Sequence, residues 1–281
     1  MKTRTHFLIA GLVLVALGLG AFIWSQWPTP PAPASKQPEV RPVATPAAVA
    51  HSAPTIRHPI SAASAAASTP EAREPDGSPQ ERLRASLIEF VGRKAALSFL
   101  QLDSFVYRLV ATVDNLDRQH APPRVWPVNR TAGRFTVTGV GANRMISRDN
   151  AQRYAPLVQF VESIDAGRAV ALYVRLYPLF QQVYVELGYP NKYFNDRLVD
   201  VIDHLLATPD MAEPLGVALT EVKGPIQSLQ PWVHYEFSDS SIESRSAGQK
   251  MLLRAGRVNA RKMKAKLGEF RRLLTGQGIV K

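Results

Sequence analysis

The sequence predicts a mainly α protein: a compact multi-helix domain with a small β element, preceded by a transmembrane helix and a disordered linker. Three observations carry that prediction. An apolar run without a charged residue fills positions 7–27. A Pro- and Ala-rich stretch without aromatic residues follows, from 28 to 79. Beyond it, apolar side chains recur at three- and four-residue steps almost to the C-terminus. With 46% hydrophobic and 20% charged residues, the 281-residue chain can bury a core. It has no cysteine, which excludes a disulfide scaffold, thiolate zinc sites, a cysteine nucleophile and a lipid-modified cysteine.

The N-terminal run reads FLIAGLVLVALGLGAFIWSQW, from Phe7 to Trp27. As a helix it spans about 32 Å, close to the hydrocarbon thickness of a bilayer. Trp24 and Trp27 end it, where indole rings favour the membrane interface. Lys2 and Arg4 precede it, and positive flanks stay in the cytoplasm. Residues 1–6 are therefore expected inside and the bulk of the chain translocated. A cleaved signal peptide is the competing reading, with Ala32-Pro33-Ala34 as its site. That triplet lies well past the apolar run and contains proline, so an uncleaved anchor is favoured.

Residues 28–79 hold 12 of the 22 prolines and 13 alanines, and four basic residues balance four acidic ones. Such a stretch cannot bury enough apolar surface to offset chain entropy. It is expected to be a disordered tether with a reach between about 40 and about 160 Å. The favoured reading gives it no sequence requirement.

The folded part is expected over 80–281. Ile88, Val91, Ala95, Phe99 and Leu102 step as one amphipathic helix, and Val106, Leu109, Val113 and Leu116 as another. Pro122, Pro123 and Pro127 break the pattern. Residues 134–138 read as a short strand between Gly133 and Gly139. Ser147 can cap a helix running through Arg153, Val158 and Ile164. Residues 166–187 form the next helix, which Pro178 should kink or split. Gly188-Tyr189-Pro190-Asn191 is a turn. The following helix turns Phe194, Leu198, Val201 and Leu205 inward. Residues 209–231 read as a loop with one short strand, and residues 232–237 alternate as a strand. Ser240 and Glu243 match a capping box. The last helix carries Met263, Leu267, Phe270 and Leu274.

A net charge of +11 invites a nucleic-acid reading. Its location argues otherwise. Residues 80–249 contain 18 basic and 18 acidic residues, whereas residues 250–281 contain ten basic residues and only Glu269 as acid. The basicity belongs to the last two helices, where Arg257, Arg261 and Lys264 share a face away from the apolar stripe. A solvated face with cations near the helix C-terminus explains it without a partner. Contact with anionic lipid or an acidic wall polymer is the second reading. Nucleic acid is not an expected partner, because a translocated domain meets little of it.

The central block YVRLYPLFQQVYVELGYPNKYFNDRLVDVIDHLLATP (173–209) resembles the bacterial family named domain of unknown function 3014. ATVDNL (111–116), NAQRYAPLVQFVESID (150–165), YEFSD (235–239) and SAGQKMLLRAG (246–256) resemble it as well. The resemblance spans about residues 83–275. In one departure, Tyr107 and Arg108 stand where the family pattern has paired arginines. The family implies an envelope protein with an N-terminal membrane segment, often proteobacterial. It implies no activity and carries no catalytic residue.

The residues themselves show no phosphate-binding Gly-rich Lys loop, no G-x-S-x-G elbow and no H-E-x-x-H helix. No catalytic residue, metal site or cofactor is assigned. Two constellations remain. Asp196, Asp200 and Asp203 share a helix face at i, i+4 and i+7, with His204 four residues after Asp200. A hard cation or an acid–base pair uses such a face. A solvated face, or pairing with Arg197 or another arginine, is favoured. Tyr173, Tyr177, Gln181 and Tyr184 form a stripe. In a cleft its rings would stack on sugars, but core packing is the commoner fate. Glu186 beside it would serve glycoside cleavage only with a second carboxylate across a cleft.

The expectation is therefore a single-pass protein of the bacterial inner membrane with a periplasmic binding or scaffolding domain. Its partners would be the membrane itself and anionic lipid, wall polymer or another envelope protein. A hydrolase of cell-wall glycan is the alternative.

Overall fold

The computed structural model describes residues 55–60, 78–220 and 231–276. The expected anchor at 7–27 and most of the expected linker lie outside the described residues. Among the described residues, no helix is long and apolar enough to cross a membrane.

Ser78 opens the domain with a capping box. Its hydroxyl accepts the Glu81 N–H, and the Glu81 carboxylate accepts the Ser78 N–H at 2.7 Å. Helix α1 (Pro79–Val91) stops at Gly92, whose φ of 83° and ψ of 145° suit only glycine. Helix α2 (Arg93–Phe99) begins there, so the single helix expected across 88–102 is two. Burial in α1 falls on Leu83 and Leu87. Helix α3 (Phe105–Leu116) buries Val106, Val110 and Val113 as its spacing predicts.

Ser147 caps a 3-10 stretch, Arg148–Arg153, and α4 (Ala155–Ser163) follows separately. Helix α5 (Ala166–Glu186) runs as one helix through Pro178, so the proline does not split it. Pro178 lies on the exposed side, where water can serve the carbonyl it leaves unpaired. On the other side Tyr177, Phe180 and Tyr184 are buried and hold the helix in place.

Helix α6 (Phe194–Leu206) follows the predicted turn. Then come α7 (Ser240–Glu243), α8 (Ala247–Ala255) and α9 (Arg257–Leu274). The cap of α7 is Asp239, not Ser240: its carboxylate accepts the Ser241 N–H at 2.8 Å. Glu243 is engaged elsewhere, by the Phe237 N–H and by Lys250.

The β element is two short antiparallel ribbons. Strand β1 (Val137–Thr138) pairs with β2 (Met145–Ile146), with Val137 opposite Ile146. Strand β3 (Val217–Leu219) pairs with β4 (Tyr235–Phe237), with Val217 opposite Phe237. Backbone bonds from Ile146 to Leu215 and from Val217 to Arg144 join the ribbons.

The main core gathers α1, α3, α5, α6 and α8 around Val110, Phe180, Tyr184 and Phe194. Helix α9 lies across α4, α5 and α6. A second cluster of Leu215, Val217, Phe237, Ile242 and Leu253 seats the ribbons on α7 and α8. The domain is thus mainly helical with a small β part, as the periodicity predicts.

Candidate functional site

Tyr193 precedes α6, Asn195 and Asp196 lie in its first turn, and Asp200 lies one turn further on. They form an acidic ledge, and residues 55–60 lie along it. The Asp196 carboxylate takes two successive backbone donors, the Arg57 N–H at 3.0 Å and the His58 N–H at 2.7 Å. Asp200 receives both arms of the Arg57 guanidinium, at 2.9 and 2.6 Å. Tyr193 Oη accepts the Ile60 N–H at 2.8 Å. Asn195 Nδ2 donates to the His58 carbonyl at 2.8 Å. Pro59 has no N–H to place, and Ile60 packs against the main core. Hydrogen bonds and charge from Asp200 raise the Arg57 pKa above its ordinary value.

These six residues fall inside the stretch expected to be a featureless linker. The rest of that stretch up to residue 77 lies outside the described residues. Periodicity cannot reveal a segment of six residues that gains its partners only from a helix about 140 positions away.

The aromatic stripe stands behind the ledge. Tyr177 and Tyr184 are core residues, 8% and 2% exposed. The Tyr177 ring lies 5.2 Å from that of Tyr193, and the Tyr173 hydroxyl donates to Asn195 Oδ1 at 3.2 Å. Gln181 Oε1 accepts from the Tyr177 hydroxyl at 2.9 Å and from the Phe194 N–H at 2.8 Å. Its amide donates to the Lys192 carbonyl at 2.8 Å. Burial pushes the Tyr173 and Tyr177 phenols far above their ordinary range and Tyr184 up to about 12. These hydroxyls are therefore neutral at any physiological pH. The stripe braces the start of α6, with Tyr177 and Tyr184 packed into the core.

The other candidates disperse. Glu186 is exposed and accepts from Gln182 on its own helix at 2.9 Å. Asp203 pairs with Arg271 of α9, and His204 Nε2 meets the hydroxyl of Ser246 at 2.8 Å. Asp196, Asp200, Asp203 and His204 thus serve three separate contacts, which gives metal or acid–base chemistry no common centre. Among the described residues no group of three or more ligating side chains could hold a metal.

The basic face is also spoken for. Arg257 and Arg261 both pair with Asp210, and Lys264 donates to the Thr208 carbonyl at 2.6 Å. Hydrogen bonds from Arg257 and then Arg261 pull the Asp210 pKa down to about 2. An open polar cleft of about 540 Å³ lies between the end of α4, the start of α5 and α9. Its Glu162 pairs with Lys262 and its Glu269 with Lys266, so those charges already have partners.

Three polar joints were not singled out from the sequence. Asp114, 7% exposed, accepts from Arg118 at 2.6 Å and from the Tyr189 hydroxyl at 3.0 Å. Beside it, Arg197 grips Asp117 at 2.7 and 2.6 Å and donates to the Asp114 carbonyl at 2.8 Å. Burial works against the Asp117 charge, but the Arg197 bonds outweigh it and hold its pKa below the ordinary value. Ser246 caps α8, while Gln249 donates to the His204 carbonyl at 3.1 Å and Lys250 to Glu243 at 2.6 Å. Asn150, fully buried, joins the Arg254 carbonyl to Arg153. One signal was present: Asp114 stands four residues after Val110, on the apolar face, where a carboxylate must have partners.

The family described as protein of unknown function (DUF3014) matches residues 105–271. No curated protein and no solved structure matches the chain.

Proposed function

The chain belongs to the DUF3014 family, and from that premise we propose a single-pass inner-membrane protein whose periplasmic domain is a non-catalytic binding or scaffolding module. The anchoring part of this reading rests on the uncharged run at 7–27 behind Lys2 and Arg4. The binding part rests on one observation, the grip of the α6 ledge on the short peptide segment at 55–60, which bends at Arg57 and His58. That grip uses backbone donors, a forked arginine contact and an apolar anchor, which are the elements of peptide recognition. The pairing of Arg257, Arg261 and Lys264 with the body of the domain favours another envelope protein over anionic lipid or wall polymer. The non-catalytic reading is favoured over a glycan hydrolase because Glu186, the carboxylate that alternative starts from, is exposed and bonded within its own helix.

Alkaline phosphatase fused after Lys281 should be active, and the protein should stay with the membranes through a carbonate wash. Crosslinking in intact cells should yield discrete protein adducts. An inactive fusion or release by carbonate would overturn the anchored reading. Release of soluble sugar from purified wall material would overturn the non-catalytic one.

A further inference from the structure

We propose that the ledge of Tyr193, Asn195, Asp196 and Asp200 is a recognition site for a short peptide of the type Arg-x-Pro-aliphatic, bent at the arginine and the residue after it. Its resting occupant is Arg57–Ile60 of the same chain, and a partner protein binds by presenting a like segment and displacing it. The proposal rests on the binding-module reading and adds the ligand chemistry and the resting state.

Backbone recognition is nearly complete. The N–H groups of Arg57 and His58 share one carboxylate, the Ile60 N–H has the Tyr193 hydroxyl, and the residue between lacks an N–H. A proline at that position leaves no orphan donor. Asn195 shows that the seat is built for a peptide. Its side chain is 0% exposed, its Oδ1 takes the Tyr173 hydroxyl, and its amide is aimed at the His58 carbonyl. Without an occupant, the Asn195 amide donor and two Asp196 acceptors would have only water.

Selectivity comes from two side chains. Asp200 meets Arg57 through two parallel bonds, a geometry that lysine cannot reproduce. Ile60 places an aliphatic group against the core.

The occupant is also displaceable. The Arg57 and Asp200 side chains are 54% and 46% exposed, so their forked contact lies open to water and to a competing guanidinium. Residues 61–77 connect the segment to the domain, a length that presents it at an effective concentration on the order of 1 mM. The tethered segment therefore fills the seat in cis, and a partner held nearby at similar local concentration competes with it.

The test uses the full chain in detergent and a fluorescent peptide of residues 53–62, read by anisotropy. Arg57→Glu in the chain should release the resident segment and leave the ledge intact. The peptide should then bind that chain roughly 10-fold tighter than the wild-type chain, whose site is filled. Adding Asp200→Asn should abolish the gain, and so should changing the arginine of the free peptide to glutamate in place of the Asp200 change. Melting curves of the variants identify any loss caused by unfolding, and the altered free peptide needs no protein variant beyond the first. Equal binding to both chains, binding to neither, or binding that survives Asp200→Asn would overturn the proposal. The assay is blind to location and to adducts formed in cells. A negative result here with positive fusion and crosslinking results removes this site alone, and the reverse removes the anchored reading alone.

Discussion

Asp114 and Arg197 make the most consequential contact at the scale of single residues. Asp114 joins α3 to the turn at Tyr189 and neighbours the guanidinium of Arg197. Removing one member of a buried charge network leaves its partners uncompensated. Asp114→Ala should therefore cost about 3 kcal/mol in urea unfolding, with the helical signal retained in the folded baseline. Asp114→Asn should cost less, because the amide still accepts from Tyr189. The ledge shows how legibility fails at this scale. The i, i+4 spacing of Asp196 and Asp200 was visible, and so was the option of a pairing arginine. Which arginine was not, because Arg57 is 143 positions from Asp200 and no local pattern links them.

At the scale of elements, the family-like stretch SAGQKMLLRAG becomes a helix that is buried along most of its length. Gly248 is its closest approach to the core. A Cβ there would meet Leu205 Cδ2 at 2.5 Å and the Leu116 carbonyl oxygen at 2.9 Å. Gly248→Ala should destabilise the domain by about 1–3 kcal/mol despite the better helix propensity of alanine. Thermal melting of the variant checks this, and a neutral result would mean that α8 can shift outward. Helices α3, α5, α6 and α9 were legible because their apolar residues step at helical intervals. The break at Gly92 and the continuity through Pro178 were not. The first turns on the backbone angles that Gly92 adopts, and the second on Pro178 facing solvent, a tertiary fact that overrides local propensity. The ribbons were half legible: residues 134–138 and 232–237 alternate, but their partners carry no comparable pattern.

At the scale of the whole molecule, charge has to be counted across space. Helix α9 is basic along the chain, yet its cations meet Glu162, Asp203 and Asp210 of the neutral body. The net charge by segment was correct and its meaning was hidden, because the pairs cross the segment boundary. Reversing Arg257, Arg261 and Lys264 together to glutamate should lower the melting temperature by several degrees. An unchanged melting temperature would return these residues to the role of a solvated face.

Acid should act on the partly buried pairs outside α9, Asp117 with Arg197 and Glu243 with Lys250. Burial opposes the charge on Glu243 as it does on Asp117. The bonds from Lys250 and the Phe237 N–H outweigh it, so both pKa values lie below the ordinary range. Between the folded and unfolded values the unfolded chain binds more protons, so stability rises with pH there. The contribution should be intact from neutral pH down to about 5 and lost progressively below about 4. Melting temperature against pH measures it, and Asp117→Asn should flatten part of the fall.

The central claim is that the domain holds residues 57–60 on the α6 ledge. Amide hydrogen exchange of the full chain, resolved at Arg57, His58 and Ile60, tests it most directly. The account predicts exchange at these three amides well below the rate of an unprotected peptide. It also predicts that Asp196→Asn speeds Arg57 and His58 while the amides of α5 stay protected. Exchange of all three at the unprotected rate in the wild-type chain would contradict it.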